Sequence, residues 1–144
     1  MFRLRPGDEN LTALLEMYES IQREPVMVQR YVPEIRRGDK RIILVEGEAM
    51  GAVMRVPPEV GARAVKTELS ARDREICSAI GPSLRAQGLV FVGIDVIGDW
   101  LTEINVTSPT GIQEIARLDR VEIAPKIWDA IEVRLTERAD RRPA

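Results

Sequence analysis

Histidine is absent from all 144 residues. That gap excludes Ser–His and Cys–His dyads, imidazole general bases and histidine-bound zinc in one step. Cysteine is nearly absent as well. Cys77 stands alone, so no disulfide can form within the chain, and the composition suits a reducing compartment. Cys77 falls on the apolar side of an expected helix, where an inert buried thiol is the ordinary state. Charge of one sign is also missing: 21 Lys and Arg against 23 Asp and Glu give a formal net charge of −2. A dedicated nucleic-acid binder would be basic or carry a basic patch. The one basic cluster, Arg36, Arg37, Lys40 and Arg41, is diluted by Glu34 and Asp39. No apolar run approaches the roughly 20 residues of a membrane helix, and the N-terminus lacks a signal-peptide pattern. A cytoplasmic protein of one domain, with neither nucleic acid nor membrane as partner, is expected.

What is present alternates between hairpins and helices. Phe2 and Leu4 alternate with Arg3 and Arg5 as a short strand before the Pro6-Gly7 turn. A chain that opens in mid-strand is expected to be a piece of something longer. Asn10 can cap a helix to about Arg23, with Leu11, Leu14, Leu15, Tyr18 and Ile21 on one face. Residues 26–32 have strand composition, bounded by Pro25 and Pro33. Glu46-Gly47 splits 41–45 from 49–56 as a hairpin, and residues 59–69 form a loop. Ser70 caps a helix over 71–87, with Ile76, Cys77, Ile80 and Leu84 buried, Gly88 as its stop, and Pro82 expected to kink or break it near Gly81. A short helix is expected over 112–118. Pro125 starts a last one with Ile127, Ile131 and Leu135 on one face, before a charged, frayed tail over 138–144. The class is α+β, a largely antiparallel sheet packed against helices.

The stretch from Leu89 to Gly111 holds the sharpest chemistry. Two apolar runs flank Gly98-Asp99 as a hairpin, and acidic and amide side chains sit inside them: Asp95 in the first, Glu103 and Asn105 in the second. Aspartate and asparagine are poor strand formers, and such local conflicts mark functional or strained sites. Together the three offer the hard oxygen ligands that suit Mg²⁺ or Mn²⁺. A solvent-facing edge hairpin carrying polar residues is the plain alternative. The metal reading makes a geometric demand. A two-residue loop would pair Asp95 with Thr102 and turn Glu103 to the other face. A three-residue loop, 98–100, or an equivalent bulge would pair Asp95 with Glu103.

Three further sets are weaker. Lys40, Arg41 and Arg55 form a basic set, of which Arg41 and Arg55 lie on the two strands of the 41–56 hairpin, where side chains can converge on an anion or remain solvated or paired with acids. The run 106–111, VTSPTG, offers hydroxyls and free N–H groups before a helix, an anion site or simple capping. Tyr31, within QRYVP, has the character of a packed aromatic with a polar tip.

Beyond their chemistry, the runs GDKRIILVEGE (38–48), RVP (55–57), IGP (80–82) and GLVFVGIDVIGDWLTEINVTSPTG (88–111) closely resemble bacterial glutathione synthetase, of the ATP-grasp carboxylate–amine ligases. MVQRYVPEIRRGDKR (27–41) and IWDAIE (127–132) extend the likeness over about 1–137, with LTEINVTSPTG the most family-specific piece. The resemblance implies the C-terminal portion of an ATP-grasp fold, with ATP as cosubstrate. It implies an acyl phosphate made on γ-glutamylcysteine and attacked by the amine of glycine. Asp95, Glu103 and Asn105 match the family's Mg²⁺ (or Mn²⁺) ligands. Gln29, Tyr31 and Val32 match its adenine-receiving hinge, Asp39 and Arg41 match residues near the nucleotide, and Arg55 matches an arginine facing the reacting phosphoryl, with Arg41 beside it in the catalytic set. Ser108, Pro109, Thr110 and Gly111 match the substrate end.

Two departures accompany the matches. Family members are about twice this length and carry their nucleotide-binding lysines and Gly-rich loop upstream of where this chain starts. The loop after RVP is shorter here, keeping only Gly61 and Arg63 recognisably. The chain is therefore expected to retain a metal and phosphate half-site and not to catalyse alone. Another ATP-grasp carboxylate–amine ligase, or a noncatalytic remnant that self-associates as an interaction module, are the other readings.

Overall fold

The computed structural model describes residues 2–21, 25–57 and 63–140. They divide into two compact units, 1–32 and 33–144.

The first unit contains helix α1, Leu11–Ile21, and otherwise irregular backbone. Leu14 N–H donates to the Asn10 carbonyl, so the helix starts where its sequence suggests. The Asn10 side chain, however, donates to Asp8 Oδ1 (3.0 Å) instead of accepting from the helix. Phe2 packs edge-on against Tyr18, with ring centroids 6.3 Å apart. The helix buries none of its residues, and Leu11, Leu15 and Ile21 are exposed, contrary to the apolar face expected for it. Neither expected strand forms: 2–4 and 26–32 have no strand pairing. Strand composition needs a partner edge and a core to act on, and Met27 and Val28, 80% and 86% exposed, have neither.

The second unit is a five-stranded antiparallel sheet ordered β3-β2-β1-β4-β5. Its strands are β1, Asp39–Val45; β2, Glu48–Val56; β3, Arg63–Lys66; β4, Phe91–Ile97; and β5, Trp100–Asn105. A 3₁₀ turn, Pro33–Arg37, precedes β1. Both expected hairpins are present. Strand β3 lies where a loop was expected: four residues are too few to show alternation, and pairing with the free edge of β2 makes the strand. Residues 58–62 of that segment lie outside the described residues.

The pleat sorts the core into two layers. Ile42, Leu44, Ala52, Val92, Ile94 and Val96 pack against helix α2, Ala71–Ala86, through Ile76, Cys77 and Leu84. On the other face Ile43, Val45 and Val53 meet Ile115 of α3, Ile112–Asp119, together with Ile123 and the partly buried Ile127 and Ala130, which lead into or lie on α4, Ala124–Asp140. Leu135, expected on the buried side of α4, is 61% exposed. Helix α4 continues through Asp140, so the expected tail is helical over 138–140, and 141–144 lie outside the described residues.

Ser70 begins α2 with a reciprocal capping box: its hydroxyl accepts from Asp73 N–H (3.1 Å) and Asp73 Oδ2 accepts from Ser70 N–H (2.8 Å). Pro82 does not break the helix. The amide it removes would have served the Ser78 carbonyl, and both residues are exposed, so water can satisfy that oxygen. Next to it, Gly81 meets Gly47 of the β1–β2 turn backbone to backbone: a Cβ on either would lie 2.5 Å from the other's carbonyl oxygen. Burial pushes the Cys77 thiol up to about 11, which fits the inert thiol expected there.

Candidate functional site

The site grows from register. Antiparallel pairing sets Arg41 of β1 opposite Asp95 of β4, Asp39 of β1 opposite Arg55 of β2, and Asp95 opposite Glu103 of β5. Asp39 and Arg41 are two apart, so all five side chains share one face of the sheet, at the end not covered by α3 and α4.

The pairing of Asp95 with Glu103 arises differently from a three-residue loop. Ile97 pairs with Trp100, a two-residue Gly98-Asp99 loop, and a bulge between Asp95 and Val96 leaves Thr102 as the extra residue of β5. The bulge restores Glu103 to the face of Asp95, as the metal reading demanded. Thr102 Oγ1 donates to the Asp95 carbonyl (3.0 Å).

Arg41 grips Asp95 with two bonds, Nε to Oδ1 at 2.5 Å and Nη2 to Oδ2 at 2.7 Å. Both side chains are almost wholly buried, at 8% and 4% exposure. Arg55 adds a third contact, Nη2 to Asp95 Oδ2 at 2.8 Å, while its Nε and Nη2 bond Asp39 Oδ2. Burial pushes the Asp95 carboxyl up, but the bonds from Arg41 and the charge of Arg55 outweigh it, and the group lies below the usual carboxylate range. Arg55 is held above its ordinary value: burial opposes, and Asp39 and Asp95 prevail.

The loop after β5 closes over this cluster. Arg41 Nη1 donates to the Thr110 carbonyl (3.4 Å) and hydroxyl (3.3 Å). Pro109 is buried on Gly93, where a Cβ would lie 2.6 Å from Pro109 Cβ, and Gly111, at φ +124°, lies against the Arg41 stem. Gly111 occupies the N-cap of α3 with no side-chain cap bond, so capping does not account for the hydroxyls of 107–110. Ser108 is exposed in left-handed backbone, φ +48°.

Lys40 does not join Arg41 and Arg55. One residue along the strand, it points to the opposite face and pairs with buried Asp73, also donating to the Glu68 carbonyl (3.0 Å). Gln29, Tyr31 and Val32 lie in irregular backbone of the first unit, where the Arg3 guanidinium sits 3.8 Å from the Tyr31 ring centroid. The sequence reasoning missed Gly93 and Thr102. A glycine within a strand is a readable signal of close backbone approach.

The fold is that of ATP-grasp ligases. A solved structure of the ATP-grasp ligase PsnB with a minimal precursor aligns at a TM-score of 0.50 and 20% identity, covering 66% of this chain and 34% of that one. Another, of PsnB with a phosphomimetic precursor variant, Mg and ADP, aligns at 0.51 and 14%, covering 84% and 50%. The chain belongs to the family described as prokaryotic glutathione synthetase, ATP-grasp domain, which matches residues 1–120. It is 56% identical to glutathione synthetase of Mesorhizobium japonicum over 92% of this chain and 45% of the relative. It is 55% identical to that of Brucella melitensis, over 93% and 46%. The chain thus spans about half the length of these relatives.

For a divalent cation the donor set fits in kind. Glu103 is exposed, and Asn105, two residues on and facing the same way, is half-buried with a side-chain nitrogen that has no hydrogen-bond partner among the described residues. Its amide can rotate to present oxygen instead. Asp95 is on the same face but engaged by two arginines. Among the described residues no three His, Cys, Asp or Glu side chains cluster to hold a metal, and Asn105 would be the third oxygen donor beside Asp95 and Glu103. None of the described helices is long and apolar enough to cross a membrane.

Proposed function

We propose that this chain supplies the metal- and phosphate-facing part of the ATP cleft of a cytoplasmic glutathione synthetase, which joins γ-glutamylcysteine to glycine through an acyl phosphate. The observation that carries this reading is the cluster of Asp39, Arg41, Arg55, Asp95 and Glu103 across four adjacent strands, beneath a loop held by Arg41. Asp95, Glu103 and Asn105 would hold Mg²⁺ or Mn²⁺. Such an ion neutralises charge on the phosphate oxygens.

The residues divide the remaining work by their freedom. Arg41, buried and bonded at both ends, fixes Asp95 and orients Thr110 and Gly111. Arg55, 36% exposed, has the reach to turn its guanidinium to phosphoryl oxygens. Pro109, seated on Gly93, excludes water from the floor of the site, and Ser108 to Gly111 face the carboxylate substrate. Asp39 and Arg41 flank the nucleotide, and Gln29, Tyr31 and Val32 receive adenine by the family likeness.

The test mixes the purified chain with a polypeptide covering the remaining half of the Mesorhizobium japonicum relative. Phosphate release from ATP that requires both γ-glutamylcysteine and glycine is expected. No release, with the intact relative active, would overturn the proposal. Release with D-alanine instead would indicate a different carboxylate–amine ligase. Self-association by light scattering, without nucleotide binding by calorimetry, would indicate a noncatalytic interaction module.

A further inference from the structure

Asp95 has two duties that conflict. Both acceptor positions of its Oδ2 are filled, by Arg41 at 2.7 Å and Arg55 at 2.8 Å. The two arginines also balance Asp39 and Asp95, so the cluster offers a dication no surplus negative charge beyond Glu103. Oδ1 accepts one bond, from Arg41 Nε, so it is a cation at Oδ2 that requires one guanidinium to withdraw.

The two are not equivalent. Arg41 makes two bonds to Asp95 and two more to Thr110, and its side chain is 8% exposed. Withdrawing it would strand a buried charge and release the loop. Arg55 makes a single contact with Asp95, is 36% exposed, and keeps its bonds to Asp39 when that contact is lost. Its departure leaves no charge unpaired.

We propose that Arg55 is the exchangeable partner of Asp95: a divalent cation takes over Oδ2, and the freed guanidinium, tethered by Asp39, turns to the anion that accompanies the cation. The inference rests on the metal reading above. Asp39 acts as a pivot, keeping Arg55 within reach of both positions. Cation binding and presentation of Arg55 become one event, and Arg41 stays fixed throughout.

The experiment follows the arginine Nε–Hε signals of the ¹⁵N-labelled chain by NMR while Mg²⁺ alone is added. Movement of the Arg55 signal with Mg²⁺ occupancy, the Arg41 signal holding still, is expected. In parallel, Mn²⁺ binding is counted by electron paramagnetic resonance. Arg55→Gln should tighten it by up to about fivefold, the range of a competing, partly exposed ion pair, and Glu103→Gln should weaken it. Mn²⁺ bound in a Glu103-dependent way with equal affinity in wild type and Arg55→Gln, or with Arg41 moving in place of Arg55, would overturn the exchange while leaving the metal site standing. Mn²⁺ binding that ignores Glu103, or none at all, would overturn both.

Discussion

Asp95 and Glu103 face each other across β4 and β5 because Thr102 between them is looped out of the ladder. With Thr102 in register, period-two alternation would carry Glu103 to the α2 side of the sheet, away from Asp95 and both arginines. The Thr102 hydroxyl bond to the Asp95 carbonyl ties the bulge to the residue whose partner it determines.

Asp95→Asn should lower stability by about 3–5 kcal/mol, because it leaves the buried Arg41 guanidinium facing a neutral amide. Asp39→Asn should cost about 1 kcal/mol or less, since Asp39 and Arg55 are 18% and 36% exposed and screened by solvent. Urea unfolding of both variants checks this. Equal small losses would mean that Arg41 finds another partner when Asp95 is neutralised.

Acid should unfold the protein through Asp95 and Asp73. Burial raises the Asp73 carboxyl, but the Lys40 bond and the Ser70 amide outweigh it, so both groups lie below their ordinary value in the folded chain. The unfolded chain then binds more protons as pH falls, so the contribution is complete above about pH 5 and fades as pH drops through the folded values. Urea midpoints measured from neutral to acid pH should fall below about pH 4, and Asp73→Asn should flatten that fall.

Much of this is legible in the amino-acid sequence. The two hairpins announce themselves as apolar runs around Glu46-Gly47 and Gly98-Asp99, and α2 by Ser70 and Gly88. Asp95, Glu103 and Asn105 stood out because they contradict strand preference. The arginine grip on Asp95 was not legible, since it depends on β1 pairing with β4 across some fifty residues of chain. Strand β3 is too short to carry a period, and 26–32 has strand composition with no edge to join. The separation of Lys40 from Arg41 is readable in the sequence, because adjacent strand residues point to opposite faces.

Gly81→Ala should destabilise by about 1–3 kcal/mol, as overpacking does, although alanine favours a helix interior by about 1 kcal/mol on propensity alone. The added Cβ would lie 2.5 Å from the Gly47 carbonyl oxygen, backbone that cannot swing aside as a side chain does. Thermal unfolding decides the sign. A stabilised variant would mean that α2 and the β1–β2 turn separate freely.

Gly93→Ala bears directly on the site. Its Cβ would lie 2.6 Å from Pro109 Cβ and 3.3 Å from Arg41 Cδ, and the Pro109 loop has more room to yield than an arginine held by four bonds. The loop should lift, weakening the Arg41 contacts to Thr110, so amide exchange at Thr110 and Gly111 should quicken while the sheet core stays protected. Pro109→Gly removes the clashing carbon. It should therefore cost less in the Gly93→Ala background than in wild type, a coupling that a double-mutant cycle reads directly. Additive losses, with exchange at Thr110 unchanged, would mean that Arg41 moves instead and that the loop is held to the sheet by something other than the Pro109–Gly93 contact.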